Sequence, residues 1–291
     1  MSKSPDISVV FAGSLHIDQM IQLDELPSPG ETVIAGASWT QLGGKATNQA
    51  VAAAPHVRAV LLACVGNDEG GRDALATLNS LGVHPALQVD AQVATGSSVA
   101  LIDAAGENVG VVLPGANTGL RAEPLSDLLK ASPVQLVVCQ WETEPDTLGQ
   151  MLSAARATGV PILLNAAPWL DSHRGTLPLT DHVVVNAVEA QAWTGHDPQE
   201  RVRQLDFGHP SVVVTLGAGG VLHYQKGALT TDLPAPVVQA RSTHGAGDHF
   251  VGVLAAHLAR GTPMPHALER AGQSAAEFVQ LLHKHLALSS T

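Results

Sequence analysis

Cysteine is nearly absent. The 291 residues hold two, Cys64 and Cys139, each inside an apolar run. Two such residues exclude a disulfide framework and any CxxC zinc or redox site. Charge is sparse at 14%, below the roughly 25% usual for soluble domains. Basic residues are few: 15 Lys and Arg against 26 Asp and Glu give a formal net charge of −11. A chain without a basic field is a poor partner for phosphate backbones, so nucleic-acid binding is not expected. No apolar run reaches the roughly 18–20 residues of a membrane span, and the short run 7–12 follows an acidic start unlike a signal peptide. Partnership with a membrane is therefore not expected, and a cytoplasmic location is. No fixed-period repeat is visible. GxxxxGK[ST] is missing, as is GxGxxG after a strand. A P-loop hydrolase and a dinucleotide-binding Rossmann site are therefore unsupported.

What is present is apolar residues, 45% of the chain, enough for a sizeable core. They fall into short β-branched runs separated by Ala- and Leu-rich stretches. Strands are expected at 8–12, 59–65, 99–103, 109–113, 136–139, 162–165, 182–185 and 211–215. Helices are expected at 47–54, 70–81, 123–131, 146–158, 188–194 and 248–260. Several strand runs are continuously apolar, the pattern of strands buried on both faces. Alternation of strand and helix predicts a mostly parallel sheet covered by helices on both sides. Two segments break the rhythm. Residues 16–40 alternate weakly around LPSPGET, and 96–113 read as a hairpin turning at Ala105-Gly106. These either pair into a small separate sheet or are ordinary edge strands.

Three clusters carry polar chemistry. In the first, Gly245-Ala246-Gly247-Asp248 precedes apolar residues at helical spacing. Free N–H groups and the positive end of a helix dipole make such a start an anion site. Asp248 in the first turn is either a helix cap or a carboxylate beside that anion. In the second, Gly43-Gly44-Lys45-Ala46-Thr47-Asn48-Gln49-Ala50 opens another helix. The spacing puts Lys45 and Asn48 on one face, as donors for a polyhydroxylated ligand or as solvated polar residues. In the third, polar groups follow separate strands: His16 and Asp18, Glu142, and Asn186 with Glu189. Ligands of open α/β sheets gather at the carboxyl ends of strands. Gly217-Ala218-Gly219-Gly220 after a further strand is either a tight turn or a place where a flat ligand meets backbone.

These residues, in this order, resemble the ribokinase-like (PfkB) carbohydrate kinase family over residues 7–275. GSLHID looks like its N-terminal substrate segment and LPSPGET like the approach to its lid. GGKATNQAVAAA is similar to the first family signature, closest to the ribokinase form GGKGANQ. ACVGNDEGGRDALATLNSLGV and TGSSVALIDAAGENVGVVLPGAN continue in register. QWETEP, NAVE and TLGAGG follow, and STHGAGD fits the second signature, DTxGAGD.

The resemblance implies a single three-layer α/β/α domain over 1–291 with a discontinuous β lid from about 14–40 and 96–113. It implies transfer of the ATP γ-phosphoryl group to a hydroxymethyl group of a small sugar. Asp248 would be the base, and Gly245, Ala246 and Gly247 the anion hole. His16, Asp18, Gly43, Gly44, Lys45, Asn48 and Glu142 would hold the sugar. Asn186, Thr215, Gly217 and Gly220 would line the nucleotide side, and Glu189 would help place Mg²⁺ through water. The family's lids often pair two subunits, so a homodimer is expected. Three departures stand out. His16 replaces an Asn of ribokinases. Ser242 replaces the leading Asp of DTxGAGD, and 279–288 reads as helix where a cation-binding loop is expected, so potassium activation should be absent or weak. Ala46 replaces a Gly. The alternatives are a nucleoside kinase of the same family, which with 3% aromatics would need a largely aliphatic base pocket, and a non-catalytic sugar- or nucleotide-binding regulator. Trp39 and Trp141 are candidates to flank the sugar. His283 and His285, two apart on a helix, point to different sides and make a poor metal pair.

Overall fold

The computed structural model describes residues 7–104, 108–238, 243 and 245–288, without the side chains of 108 and 282–288. In chain order the elements are β1 (Ser8–Ala12), β2 (His16–Gln22), β3 (Ala37–Gly43), α1 (Lys45–Ala53), β4 (Arg58–Gly66), α2 (Glu69–Ser80), β5 (His84–Asp90), β6 (Ser97–Ile102), β7 (Asn108–Leu113), α3 (Glu123–Ala131), β8 (Leu136–Gln140), α4 (Pro145–Thr158) and β9 (Ile162–Asn165). The chain continues with β10 (His182–Asn186), α5 (Ala187–Thr194), β11 (Ser211–Thr215), β12 (Val221–Gln225), β13 (Ala228–Leu233), α6 (Ala246–Ala259) and α7 (Met264–Leu288).

Nine strands form one sheet in the order β13-β12-β11-β10-β9-β8-β1-β4-β5. From β11 through β5 every pairing is parallel, and β12 alone runs against its neighbours. Strand alternation sorts the apolar side chains into two cores. Val9, Phe11, Leu61 and Val138 pack with Ala50 of α1, Leu78 of α2, Leu254 of α6 and Leu268 of α7. Val10, Leu62, Val137 and Leu164 pack on the other face with Leu125 of α3, Leu152 of α4 and Ala190 of α5. The result is three layers, as the alternation of elements predicts. Cys64 and Cys139 are buried and unpaired. Burial pushes the Cys139 thiol up to about 12, so it is inert packing rather than a nucleophile. Among the described residues no helix is long and apolar enough to cross a membrane.

The two irregular segments form a second sheet, in the order β3-β2-β6-β7. Its first segment extends to Gly43 rather than to 40. The strands of the expected hairpin are present as β6 and β7, while its turn at Ala105-Gly106 lies outside the described residues. Asn117 ties this sheet to the wide one. Its Oδ1 accepts from the Leu15 N–H at 2.9 Å, and its Nδ2 donates to the Leu15 and Pro114 carbonyls at 2.8 and 2.9 Å. Leu15 leads into β2 and Pro114 follows β7, so one side chain holds two of the crossings between the sheets.

Helices α1 and α6 meet backbone to backbone at Gly252, where a side chain would overlap the Gln49 carbonyl oxygen. Glycine inside a helix costs about 1 kcal/mol relative to alanine. Here it permits a close approach that brings the first turns of the two helices together.

Candidate active site

The carboxyl ends of five adjacent strands, β11, β10, β9, β8 and β1, open toward one side of the wide sheet, where the small sheet stands. A cavity of about 310 Å³ lies there. Of the residues expected from the sequence, His16, Asp18, Gly44, Lys45, Asn48, Glu142, Asn186, Glu189, Thr215, Gly245, Gly247 and Asp248 line it. Alternation along β2 turns His16 and Asp18 inward. Ser98, opposite Asp18 on β6, donates its Oγ hydrogen to Asp18 Oδ1 at 2.6 Å.

Six expected residues do not line the cavity. Gly43 ends β3 and backs Asp18, whose carboxylate a side chain at 43 would overlap. The N–H of Ala246 donates to the Thr243 carbonyl at 3.1 Å. Gly217 and Gly220 bracket a 3-10 turn at Gly217–Gly219 between β11 and β12. Trp141 is a core residue instead. Its ring packs tilted against Trp169, with centroids 4.8 Å apart, and its Nε1 donates to Thr176 Oγ1 at 3.2 Å. Trp39 lies on β3 and does not line the cavity, with Nε1 donating to Gln41 Oε1 at 3.4 Å. Ser242 and the side chains of His283 and His285 fall outside the described residues.

The first turn of α6 decides between the two readings of Asp248. The N-cap is Gly245, with φ 75° and no side-chain cap bond. Asp248 makes no cap. Its Oδ2 accepts from Asn48 Nδ2 at 3.3 Å and its Oδ1 from Gln49 Nε2 at 3.0 Å, both on α1. Glu142 sits across the start of α1. Ser14 Oγ donates to Glu142 Oε2 at 2.5 Å, and the Lys45 N–H reaches Ser14 Oγ at 2.9 Å and Glu142 Oε2 at 3.3 Å. On the far side Asn186 and Glu189 form a capping box on α5. Asn186 Oδ1 accepts from the Glu189 N–H at 2.9 Å, and Glu189 Oε2 from the Asn186 N–H at 2.7 Å.

Lys45 faces three carboxylates. Burial alone would lower its pKa, but Asp248, Glu142 and Glu189 together hold it above the ordinary lysine value. It therefore stays an ammonium at neutral pH. Burial raises the Asp248 carboxyl despite Lys45 and the two amide donors, with Glu142 adding to the rise. Burial likewise raises Glu189. A carboxylate whose pKa is raised by burial and that is fixed beside a helix N-terminus suits proton removal from a hydroxyl next to an anion. Gln49, Ser14, Ser98 and Asn165 complete this arrangement. Ser14, Gln49 and Ser98 fall inside the motifs GSLHID, GGKATNQ and TGSSVALID, whereas no motif marks Asn165 in the sequence.

The chain matches known proteins over most of its length. Residues 6–283 match the family model described as pfkB family carbohydrate kinase. The chain is similar to mouse ribokinase, 34% identical over 87% of this chain and 82% of that one. It is similar to a Salmonella typhimurium deoxyribokinase, 31% identical over 91% and 90%. Its fold matches Arabidopsis thaliana ribokinase solved with ribose and ATP, with a TM-score of 0.79, 24% identity and 95% and 93% coverage.

Proposed function

The chain belongs to the pfkB family of carbohydrate kinases, and from that premise we propose that it transfers the terminal phosphoryl group of ATP to a hydroxymethyl group of a small sugar. The observation that carries the residue assignment is the placement of Asp248. It is a part-buried carboxylate in the first turn of α6, held by two amides and facing a lysine.

In this reading the sugar lies between the two sheets. Asp18, Asn48, Glu142 and the Lys45 ammonium offer acceptors and donors to its hydroxyls, and Gly44 lets it approach backbone. His16 closes one wall with an imidazole that is buried yet faces the cavity. Asp248 takes the proton of the attacking hydroxyl. The N–H groups of Gly245 and Gly247 at the start of α6 receive charge on the transferring oxygens. Phosphoryl transfer asks mostly for alignment and charge stabilisation, which this arrangement supplies. Asn186 and Thr215 border the nucleotide side, with the Gly217–Gly220 turn beyond them.

Glu189 fits a role toward Mg²⁺ through water, since it lines the cavity and one of its oxygens is left over from the capping box. The ion would help neutralise the phosphates. The small sheet acts as a lid that excludes water. Its exposed Val109 and Val111 on β7 support pairing with a second copy. The cytoplasmic location and the lack of potassium activation are part of the same reading. The first rests on the near absence of cysteine, the second on Ser242 together with the helix that continues through 279–288.

The names of the relatives put ribose and 2-deoxyribose first among acceptors. No Phe, Tyr or Trp is among the described residues lining the cavity, which favours a sugar over a nucleoside. The test is ADP release with Mg-ATP across ribose, deoxyribose, fructose, 2-keto-3-deoxygluconate, adenosine, cytidine and pseudouridine, with and without potassium. Turnover on a pentose that potassium leaves unchanged is expected. Turnover confined to nucleosides, or none above the ATPase background, contradicts the reading.

A further inference from the structure

The carboxylate assigned above as base is held from outside the cavity as well as from within it. Asn48, the donor to Asp248 Oδ2, lines the cavity. Gln49, the donor to Oδ1, does not line it and is fully buried.

The buried amides around Gln49 have only one consistent direction. Asn165 Nδ2 donates to the Val184 carbonyl at 3.2 Å, which turns Asn165 Oδ1 toward Gln49. Gln49 Nε2 meets that oxygen at 3.1 Å and Asp248 Oδ1 at 3.0 Å, using both of its hydrogens. The Gln49 carbonyl therefore points the other way, and accepts from Gln140 Nε2 at 2.7 Å. This leaves Gln140 Oε1 as the one buried side-chain polar atom without a partner among the described residues. It lies against Gly13, where any side chain would overlap it.

An orphaned buried acceptor is costly, and in a native fold it calls for a reason. Turning the Gln140 amide over would set two carbonyls against each other and leave Gln49 free to rotate. The deficit thus sits at the far end of the relay, and the N–H that reaches Asp248 is secured.

We infer that Gln49 is a positioning residue for phosphoryl transfer: it aims the Asp248 carboxylate at the acceptor hydroxyl, and Gln140 fixes the direction in which Gln49 donates. The inference rests on Asp248 being the base. Its chemical consequence is specific. A bond donated to the carboxylate favours the charged form, against burial and the nearby Glu142 and Glu189, and alongside Lys45 and Asn48.

Gln49→Met keeps the length and burial of the side chain and removes its donors. The expected result is a fall in kcat of about tenfold with the sugar KM within about twofold, since the base and not the sugar contacts is disturbed. The acid limb of the kcat/KM profile should move up by roughly half a pH unit or more. Gln140→Met leaves both donors to Asp248 in place but frees Gln49 to turn. It should give a smaller change in the same direction, and it carries the test if Gln49→Met does not fold. Unchanged kcat and pH profile overturn the inference. So does a lower kcat with an unmoved acid limb, which would mark Gln49 as structural only. If Asp248→Ala retains turnover, the base assignment fails instead. If Asp248→Ala is inactive and the Gln49 variant behaves normally, this inference alone fails.

Discussion

The two sheets divide the molecule by what their side chains do. In the wide sheet both faces of the central strands are apolar and closed over by helices. In the small sheet the inward face carries His16, Asp18 and Ser98, and the outward face leaves Val109, Val111 and Leu113 exposed. The wide sheet stabilises the fold and ends in polar residues only at its carboxyl edge. The small sheet contributes little core and presents hydrogen-bonding groups to the cavity. Stability and recognition should therefore respond to mutation separately.

Breaking the wide sheet should give the largest change in stability. Leu61→Ala removes a fully buried side chain of β4. It should cost about 2–5 kcal/mol of unfolding free energy, read by urea denaturation, with the sugar KM unchanged. A change of KM as large as the stability loss would mean the two regions are not separable. Breaking the small sheet should do the reverse. Asp18→Ala should raise the sugar KM by about 10- to 100-fold, the worth of one charge-assisted hydrogen bond, and leave the melting temperature near that of the unaltered protein. A variant that melts early instead would show the Asp18–Ser98 bond to be structural.

A smaller effect sharpens the comparison through pH. The wide sheet holds a buried histidine network. Ser211 Oγ lies 2.9 Å from both His182 Nδ1 and His223 Nε2, while His209 Nε2 sits 3.1 Å from Thr180 Oγ1. Burial lowers all three histidines, His223 to about 4. Their folded values lie below the unfolded value near 6.5, so the unfolded chain binds protons first as pH falls. Stability from this network is fully present above that value and is lost as pH drops from about 6.5 toward 4. Asp248 and Glu189, raised by burial, act with the opposite sign. The melting temperature should decline across this window, and less steeply in His223→Gln. Equal slopes would remove His223 from the account.

The same division governs what the sequence makes legible. Strands β1, β9 and β11 have the bounds expected from their apolar runs, because burial on both faces writes a continuous signal. Strand β5 and the β12–β13 hairpin give no such signal. They lie at the edges of the sheet and carry His84, Pro85, Gln88, Gln225, Thr230 and Thr231. Of α7 only its last part reads clearly as helix. At the site, Lys45, Asn48, Glu142 and Asp248 are legible because each sits in a short motif at an element boundary. Gln49 and Gln140 fall inside the motifs GGKATNQ and QWETEP, but their link to each other and to Asn165 is not legible, because the bonds span 91 to 199 positions and no local pattern records them. Gly252 does leave a trace. A lone glycine inside an apolar helix requires a reason, and here the reason is the contact between α1 and α6 that brings Asp248 to its donors.

The most direct test of the central claim pairs two readings on Asp248→Ala: ADP release with the preferred sugar, and sugar binding by calorimetry. A base fixed for proton removal predicts a loss of turnover of about a thousandfold with the sugar Kd within roughly threefold of the unaltered protein. Turnover within about tenfold of the unaltered protein would contradict it, because removing the base could not then be removing the chemistry.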